Sequence, residues 1–387
     1  MKIAIISDVA PPLIGGGESY VIQLGSYLTK LGHDVYWLTS KMPNTRAYEN
    51  YKGIHIHRVP ILFAKNFFFP GRQTFPLTLC LQKLSFLQDI DIVQTNTLVA
   101  GYAGWRVAKK FNKPSLLFCH EFFGDLWGKF GNNILERKVY PMIERRIARA
   151  PYDWFACPSE YSKTTLVNAG CQESKITVIP HGLNHELFNH NADETYFRKK
   201  FHLENLLLFG YIGRLRITST AQSKNLGLLL KSAQIVANEI PNSRLVLAGI
   251  GYREELRPLV QKMGLEKHVI YIGNIPYEEN PKFLRMCDLI VCPAAVDGFC
   301  FLLAEGSACA RPVIATNGGA HPDRIIHNKT GLLVEPTAEA IAKSIIEILT
   351  DKKRLIEFGE QGRNYASQYT WQKSVKKHLE VYEMLMS

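Results

Sequence analysis

Short apolar runs typical of β-strands alternate with helix-period segments along the whole chain. This alternation predicts parallel sheets covered by helices on both faces, because a helical crossover returns each strand to the same direction. The first predicted helix shows the pattern, since Val21, Leu24 and Leu28 recur at steps of three and four residues. We predict an α/β fold with doubly wound parallel sheets. The predicted strands are residues 3–6, 35–38, 54–59, 90–94, 115–118, 154–157, 177–179, 206–212, 244–248, 269–272, 289–292 and 312–315.

The length of the chain favours two domains, since 387 residues are many for one α/β domain. Residues 180–184 join a predicted strand to a polar stretch, and a new series of strands and helices starts at about Leu206. We place the boundary after Gly182. The sequence thus predicts an N-terminal domain over residues 1–182 and a C-terminal domain over residues 183–368.

The formal net charge of +11 favours anionic partners such as nucleotides, nucleic acid or an acidic membrane, or serves solubility alone. The basic residues form no single continuous stripe in the sequence, which disfavours a nucleic-acid partner. No apolar run reaches the 18 residues of a membrane-span candidate, and the apolar start of the chain is too short for a signal peptide. We therefore expect a cytoplasmic protein.

The cysteine pattern bears on metal binding. The eight cysteines include no Cys-x-x-Cys pair, and most stand in apolar surroundings. This distribution favours buried free thiols over a zinc site, and we expect no bound metal.

Two loops in the N-terminal half carry candidate ligand contacts at strand ends. Gly15 and Gly16 stand between the first strand and its helix, where glycine lets the backbone approach an anion and the helix offers N–H groups. A tight strand–helix turn explains them equally well. His120 follows the strand of residues 115–118, which would direct its imidazole at a ligand. A lone histidine is nevertheless more often structural.

A pair of cations opens the C-terminal half. Arg214 follows a predicted buried strand, where the ligands of open α/β sheets bind, and Lys224 stands near the start of the next helix. Two cations in these positions can clamp a diphosphate. Ordinary surface cations are the alternative, and the position of Arg214 at a strand's carboxyl end favours the functional interpretation.

The most informative cluster spans residues 297–315, where a strand leads into a loop, an apolar helix and another strand. We predict that the helix begins near Phe299, so that its first N–H groups attract a phosphate. Asp297 lies in the loop and Glu305 about two turns into the helix. Because an unpaired buried charge is costly, Glu305 needs a polar partner. A ribose diol, a cation or water would each serve.

With these stretches the chain resembles the retaining glycosyltransferases of family 4, and the resemblance covers essentially its whole length. It implies the GT-B fold, in which two Rossmann-like domains face a central cleft that holds the active site. It also implies that a last helix, at about residues 369–387, packs back on the N-terminal domain. The matching stretches are residues 15–17, 120–121, 158–162, 178–182, 213–215 with Lys224, 247–251 and 297–315.

The resemblance implies a role for each candidate residue. Arg214 and Lys224 would bind the donor diphosphate, Glu305 would hold the ribose hydroxyls, Asp297 would lie near the donor sugar, and His120 would lie over that sugar. The catalytic set would be His120, Asp297, Arg214 and Lys224. Further donor contacts are implied at Gly15, Gly16, Gly249, Asn274, Gly298, Phe299, Cys300, Phe301 and Leu302.

The reaction implied is transfer of a hexose-type sugar from a nucleoside-diphosphate sugar, such as a UDP-sugar or GDP-mannose, to a hydroxyl group with retention of configuration. Neither a metal nor another cofactor would take part. The acceptor would be a glycan or a lipid-linked molecule in cell-envelope polysaccharide or glycolipid synthesis. Two alternatives stay open, namely a nucleotide-sugar-binding protein without turnover and a synthase that uses a soluble acceptor. A glycosidase is disfavoured, since phosphate-binding features would then have no purpose.

Three residues and one connecting segment depart from the family pattern. They bear on the identity of the donor sugar more than on the type of reaction. Asp297 and Asp323 replace glutamates, and Cys300 replaces a common glycine. The connection of residues 215–223 between Arg214 and Lys224 is longer than usual.

The acceptor side holds two segments that mix apolar and basic residues, as membrane-surface segments do. One is residues 60–87, with Phe67, Phe68, Phe69 and Arg72, and the other is residues 132–150. A helix packed on its own sheet, with a solvated basic face, explains the second segment somewhat better. The first suggests peripheral contact with the inner face of the cell membrane.

Overall fold

The computed structural model of the protein describes residues 1–12, 15–60, 80–96, 100–131, 133–217 and 223–387. The chain divides into two compact units. Unit 1 contains Met1–Trp127, Leu135–Gly182 and Trp371–Ser387, and unit 2 contains Gly128–Ile134 and Leu183–Thr370. No helix of the described residues is long and apolar enough to cross a membrane.

The sheet of unit 1 has eight strands, all of which run parallel to their neighbours except the first pair at one edge. The strands are β1 (Lys2–Ile6), β2 (Asp34–Ser40), β3 (Tyr48–Tyr51), β4 (Ile54–Val59), β5 (Ile92–Asn96), β6 (Ser115–Phe118), β7 (Trp154–Cys157) and β8 (Ile176–Val178). Their order across the sheet is β3-β4-β2-β1-β5-β6-β7-β8. The helices are α1 (Gly16–Lys30), α2 (Gly101–Lys110), α4 (Ile134–Ala148) and α5 (Glu160–Asn168). The short helix α3 (Trp127–Phe130) starts at the last residue of Met1–Trp127 and otherwise belongs to the Gly128–Ile134 segment of unit 2.

The sheet of unit 2 has six strands, all parallel. They are β9 (Leu207–Ile212), β10 (Ser243–Ala248), β11 (Val269–Gly273), β12 (Leu289–Cys292), β13 (Val313–Thr316) and β14 (Gly331–Val334), in the order β11-β10-β9-β12-β13-β14. The helices are α6 (Thr195–Lys200), α7 (Leu226–Glu239), α8 (Arg257–Lys262), α9 (Asn280–Met286), α10 (Phe301–Ala308), α11 (Ala338–Thr350) and α12 (Lys352–Ala366). The predicted α/β class with doubly wound parallel sheets is confirmed.

Three elements differ from the sequence-based prediction. The prediction omitted β3, whose residues Tyr-Glu-Asn-Tyr are polar and only half-buried, because it pairs antiparallel at the sheet edge. It also omitted β14, a four-residue strand that follows a polar turn. The helix predicted to begin near Phe299 begins at Phe301, because Cys300 adopts a left-handed conformation with φ +60° and serves as its N-cap.

The C-terminal helix α13 (Trp371–Met386) belongs to unit 1, where it packs on α1. The chain approaches closely at its start, since a Cβ on Gly182 would lie 2.3 Å from the backbone nitrogen of Trp371. A larger residue at position 182 would push the helix away.

A buried hydrogen-bond chain fixes α13 to the core of unit 1. The Tyr20 hydroxyl contacts Nε2 of His378 at 2.7 Å and accepts from Nε2 of Gln94 at 3.1 Å, while the Tyr382 hydroxyl donates to Oε1 of Gln94 at 2.5 Å. Burial lowers the pKa of His378 to about 4, although its bond to the Ser374 carbonyl opposes this shift. The imidazole is therefore neutral at physiological pH, and Tyr20 donates to it.

Candidate functional site

The strand order of unit 2 identifies a candidate ligand site at the carboxyl ends of its strands. From β9 the chain moves outward through β10 and β11, and it then returns to the other side of β9 to place β12. The switch point therefore lies between β9 and β12, and open α/β sheets bind ligands beyond the carboxyl ends of the strands at such a point. Arg214 follows β9 by two residues and Asp297 follows β12 by five.

Close backbone packing shapes the loop after β9. Gly249, directly after β10, has φ +127°, and a Cβ there would lie 1.8 Å from the carbonyl oxygen of Gly213. The amide of Leu215 donates to the Ile250 carbonyl at 2.7 Å and ties the two loops together. Only glycine fits at position 249. The tie holds the backbone on both sides of Arg214.

Arg214 is exposed at this edge, and no described residue forms a hydrogen bond or ion pair with its side chain. A guanidinium carries five N–H donors in a planar fork that matches phosphate oxygens. Its donors are accordingly available to an anion at the switch point.

Asp297 organises the loop between β12 and α10. Its Oδ2 forms an ion pair with Nζ of Lys224 at 2.7 Å, and its Oδ1 accepts from the amides of Phe299 at 3.1 Å and Cys300 at 2.5 Å. Burial acts to raise the pKa of Asp297, but the charge and hydrogen bond of Lys224 outweigh it and lower the pKa to about 2. The carboxylate is thus ionised at physiological pH.

This arrangement differs from the prediction that the amides of residues 299–302 face a ligand. In this structure the amides of Phe299 and Cys300 donate to Asp297. A carboxylate in the loop competes for helix N-terminal donors, and the sequence alone gives no measure of that competition.

Glu305 lies on α10 and is 7% exposed. Burial raises its pKa to about 8, and a hydrogen bond from the Tyr277 hydroxyl at 3.4 Å only partly opposes the shift. No cation among the described residues pairs with Glu305. The cation that the sequence analysis left open as its partner is therefore absent from the described part of the chain, and the carboxyl is mostly protonated at pH 7.

Arg324 also contacts the loop between β12 and α10. Its Nε donates to the Phe299 carbonyl at 3.1 Å, and its guanidinium stacks over the rings of Phe299 at 4.2 Å and Tyr369 at 4.4 Å. Arg324 is 4% exposed. The sequence analysis missed Arg324. The available signal was its position directly after Asp323, which belongs to the family pattern.

Unit 1 has a switch point of its own, between β1 and β5. Gly15 and Gly16 are exposed there at the start of α1, and the Gly15 amide donates to Oε2 of Glu18 at 2.8 Å. This bond uses one of the donors that would otherwise be offered to an anion. The glycines leave the backbone at this edge uncovered by side chains.

His120 joins this edge of unit 1 through Asn96, the last residue of β5. Nε2 of His120 lies 2.8 Å from Oδ1 of Asn96, and Nδ1 lies 3.2 Å from Nε2 of His181. Nδ2 of Asn96 donates to the Gly17 carbonyl at 3.4 Å, which connects His120 to the glycine loop. The sequence analysis missed Asn96, although a polar residue that ends an apolar strand is a recognisable signal.

The other predicted donor contacts all lie in unit 2. Asn274 is exposed directly after β11, and Phe301 and Leu302 are half-buried in the first turn of α10. Gly298, Phe299 and Cys300 are buried in the loop. The Cys300 thiol contacts Cys292 at the end of β12, with 3.5 Å between the sulfur atoms.

The second of the two mixed segments, residues 132–150, contains α4, whose exposed surface is basic. Arg145, Arg146 and Arg149 surround Met142, which is 64% exposed. Phe67, Phe68, Phe69 and Arg72 of the first mixed segment lie outside the described residues.

Two protein families match the chain. Residues 192–365 match the family described as glycosyl transferases group 1, and residues 14–187 match glycosyltransferase family 4. A relative is the GDP-mannose-dependent alpha-(1-6)-phosphatidylinositol monomannoside mannosyltransferase of Mycobacterium tuberculosis, with 27% identity over 224 residues. That match covers 55% of this chain and 57% of the relative.

Two solved structures share the fold. Sucrose-phosphate synthase from Thermosynechococcus elongatus has a TM-score of 0.86 and 24% identity, and the match covers 99% of this chain and 98% of that one. Anabaena HepE in complex with UDP-glucose has a TM-score of 0.81 and 19% identity, with coverage of 99% and 100%. These likenesses confirm the predicted GT-B fold.

The Lys224–Asp297 pair generates a stability prediction. Lys224→Met leaves a partly buried carboxylate without its cation, and we expect it to lower the free energy of unfolding by about 3 kcal/mol at pH 7. The double variant Lys224→Met/Asp297→Asn removes the stranded charge and should recover more than half of that loss. Urea unfolding of both single variants and the double variant measures the coupling.

The pair Lys163–Glu173, whose atoms are 2.8 Å apart and whose carboxylate is 66% exposed, supplies the control. Lys163→Met should cost less than about 1 kcal/mol. If the effects of Lys224→Met and Asp297→Asn simply add in the double variant, the ion pair does not organise the loop.

Proposed function

The chain belongs to the family 4 glycosyltransferases, and we propose that it transfers a hexose-type sugar, with retention of configuration, from a nucleoside-diphosphate sugar to a hydroxyl of a glycan or lipid-linked acceptor. The family supports the glycosyltransferase class, and the names of its relatives support a place in glycan or glycolipid synthesis. The observation that carries the proposal is the edge of unit 2 between β9 and β12. There Arg214, which pairs with no described residue, and the Lys224–Asp297 pair lie beyond the strand ends, and the buried Glu305 follows on α10.

The diphosphate of the donor would bind Arg214 and Lys224. Negative charge develops on the leaving group as the bond from the anomeric carbon to the phosphate oxygen breaks, and preorganised cations stabilise that charge. Lys224 already pairs with Asp297, which fixes its ammonium in place before the donor binds. Arg214 adds a bidentate contact that a lysine could not make.

The anomeric configuration is retained if the acceptor hydroxyl attacks the anomeric carbon from the same face from which the leaving group departs. The new bond joins the acceptor oxygen to the anomeric carbon, the proton passes to a phosphate oxygen, and the nucleoside diphosphate leaves. This route needs no dedicated protein base. The cations would take the place of a metal at the diphosphate, and we propose that transfer needs neither a metal there nor another cofactor.

The remaining donor contacts follow the same edge. Glu305 would receive the ribose hydroxyls, and Asp297 would orient the sugar from the loop after β12. Asn274 would lie beside the base, after β11. The HepE structure is a complex with UDP-glucose, and the name of the mycobacterial relative specifies GDP-mannose. UDP-sugars and GDP-sugars are therefore both candidate donors.

Unit 1 would supply the acceptor contacts. We propose that His120, oriented by Asn96, contacts a substrate at the switch point between β1 and β5, and that Gly15 and Gly16 let phosphate approach the backbone there. The name of the mycobacterial relative specifies a phosphatidylinositol-linked acceptor, and the match spans 57% of that protein. A lipid-linked acceptor fits a cytoplasmic protein that contacts the inner face of the membrane through the basic surface of α4.

Turnover tests the proposed function. The purified protein is screened against UDP-, GDP-, ADP- and CDP-sugars with EDTA present, by thermal shift and by release of nucleoside diphosphate. We expect stabilisation and slow hydrolysis with one nucleotide. Stabilisation without release, in the presence of candidate acceptors, would favour the binding protein without turnover. Transfer only to water-soluble sugars would favour the soluble-acceptor synthase.

Arg214→Ala should lower kcat/KM by about 100- to 1,000-fold, since it removes a cation from the leaving group. Arg216→Ala is the matched control, because Arg216 is exposed on the same loop and its nearest carboxylate oxygen, on Glu255, is 3.9 Å away. The proposal for the diphosphate site fails if the two variants lose activity equally.

Flotation tests membrane contact by α4. The protein should float with vesicles of phosphatidylglycerol and phosphatidylcholine but not with phosphatidylcholine alone. Arg145→Ser/Arg146→Ser should weaken flotation about tenfold or more, at about 1 kcal/mol for each charge. Lys376→Ser/Lys377→Ser removes the same charge from exposed positions of α13 and should float as the wild type. Equal flotation of both variants would exclude α4 as the contact surface.

A further inference from the structure

Three buried side chains of unit 2 converge beside the loop that carries Asp297. The sulfur of Cys292 lies 3.5 Å from the sulfur of Cys300 and 3.7 Å from Nε2 of His321. All three ligand atoms lie within 4.8 Å of one another. The residues are 3%, 2% and 0% exposed. Nothing in the proposed sugar transfer uses these thiols or this imidazole.

The fold assembles the cluster from three separate elements. Cys292 ends β12, Cys300 caps α10, and His321 lies in the loop after β13. The spacings of 8 and 21 residues match no common zinc motif, which is why the sequence favoured plain buried thiols. The convergence exists only in the folded unit.

The hydrogen bonding of His321 prepares it as a ligand. Its Nδ1 lies 2.7 Å from the Thr316 carbonyl oxygen, which can only accept, so Nδ1 carries the proton. Nε2 then has its lone pair directed towards Cys292. Metal-binding histidines commonly donate their second ring nitrogen to a backbone carbonyl in this way, because the bond fixes the tautomer and the ring orientation.

The backbone of Cys300 gives a second, independent indication. Its φ of +60° lies in the left-handed region, where a residue with a Cβ is strained and glycine is not. The strain exists because the side chain is a cysteine at a position suited to glycine. A strained residue held by its surroundings often marks a functional site.

We propose that Cys292, Cys300 and His321 bind one Zn²⁺ ion. A tetrahedral ion about 2.3 Å from each sulfur and about 2.0 Å from nitrogen places the ligand atoms roughly 3.5–3.8 Å apart, close to the two shortest separations in the cluster. Binding forms two metal–thiolate bonds and one metal–imidazole bond, and the two thiol protons pass to solvent. No electron is transferred. Water supplies the fourth ligand.

The ion is a positioning element for the loop and takes no part in sugar transfer. The amide of Cys300 donates to Asp297, so an ion on the Cys300 sulfur holds both the start of α10 and the Asp297 carboxylate. Zinc at this place would stiffen the loop. The proposal is independent of the sugar-transfer reaction, and its test uses no turnover.

Titration of the reduced, metal-free full-length protein with Co²⁺ tests the proposal. We expect one Co²⁺ for each chain, with thiolate-to-cobalt charge-transfer absorption and the visible bands of tetrahedral coordination, and we expect Zn²⁺ to displace it. Cys300→Gly should abolish these bands. It should also fold, since glycine relieves the φ of +60°, and melt no lower than the metal-free wild type.

Cys309→Ala is the matched control, because Cys309 is equally buried in unit 2 and lies outside the cluster. It should keep the cobalt bands and the rise in melting temperature with Zn²⁺ that Cys300→Gly loses. Three results would overturn the proposal: no thiolate–cobalt band in the wild type, a band that persists in Cys300→Gly, or a disulfide between Cys292 and Cys300 in the purified protein.

Discussion

The contacts of one carboxylate, that of Asp297, determine the shape of unit 2 at the switch point between β9 and β12. Its two oxygens bind Lys224 on one side and the amides of Phe299 and Cys300 on the other. The loop after β12 is thereby tied both to the segment before α7 and to the start of α10. Because Lys224 keeps the carboxylate ionised against the effect of burial, the loop is preorganised before any ligand arrives.

The sequence predicted the sheets because their strands are buried on both faces and read as continuous apolar runs. It missed β3, where edge pairing leaves a polar strand half-exposed, and it placed the start of α10 near Phe299 instead of at Phe301. That boundary depends on two bonds to the Asp297 side chain and on a left-handed Cys300. Neither is visible in hydrophobic periodicity or in helix propensity.

The residues of the candidate site also divide into those that the sequence predicted and those that it missed. Arg214 and Asp297 were identifiable because each follows a strand, and strand ends are where such folds bind ligands. Tyr277, Arg324 and Asn96 were missed because each acts on a residue distant in sequence: Tyr277 on Glu305, Arg324 on the Phe299 carbonyl, and Asn96 on His120. Contacts of this kind are set by the tertiary fold. The sequence could mark Asn96 and Arg324 as candidates by their positions, but it could not identify their partners.

If a nucleotide sugar binds unit 2 with its ribose on Glu305, the protonation of Glu305 will affect binding, and calorimetric titration from pH 6 to pH 8 measures that effect. Burial raises the pKa of Glu305 to about 8 in the free protein, and ribose hydroxyls that donate to it would favour the ionised form. Affinity for the nucleotide sugar that supports turnover should therefore rise with pH, by up to about tenfold for each unit. Glu305→Gln should abolish that rise. An unchanged affinity and pH dependence in Glu305→Gln would contradict the account.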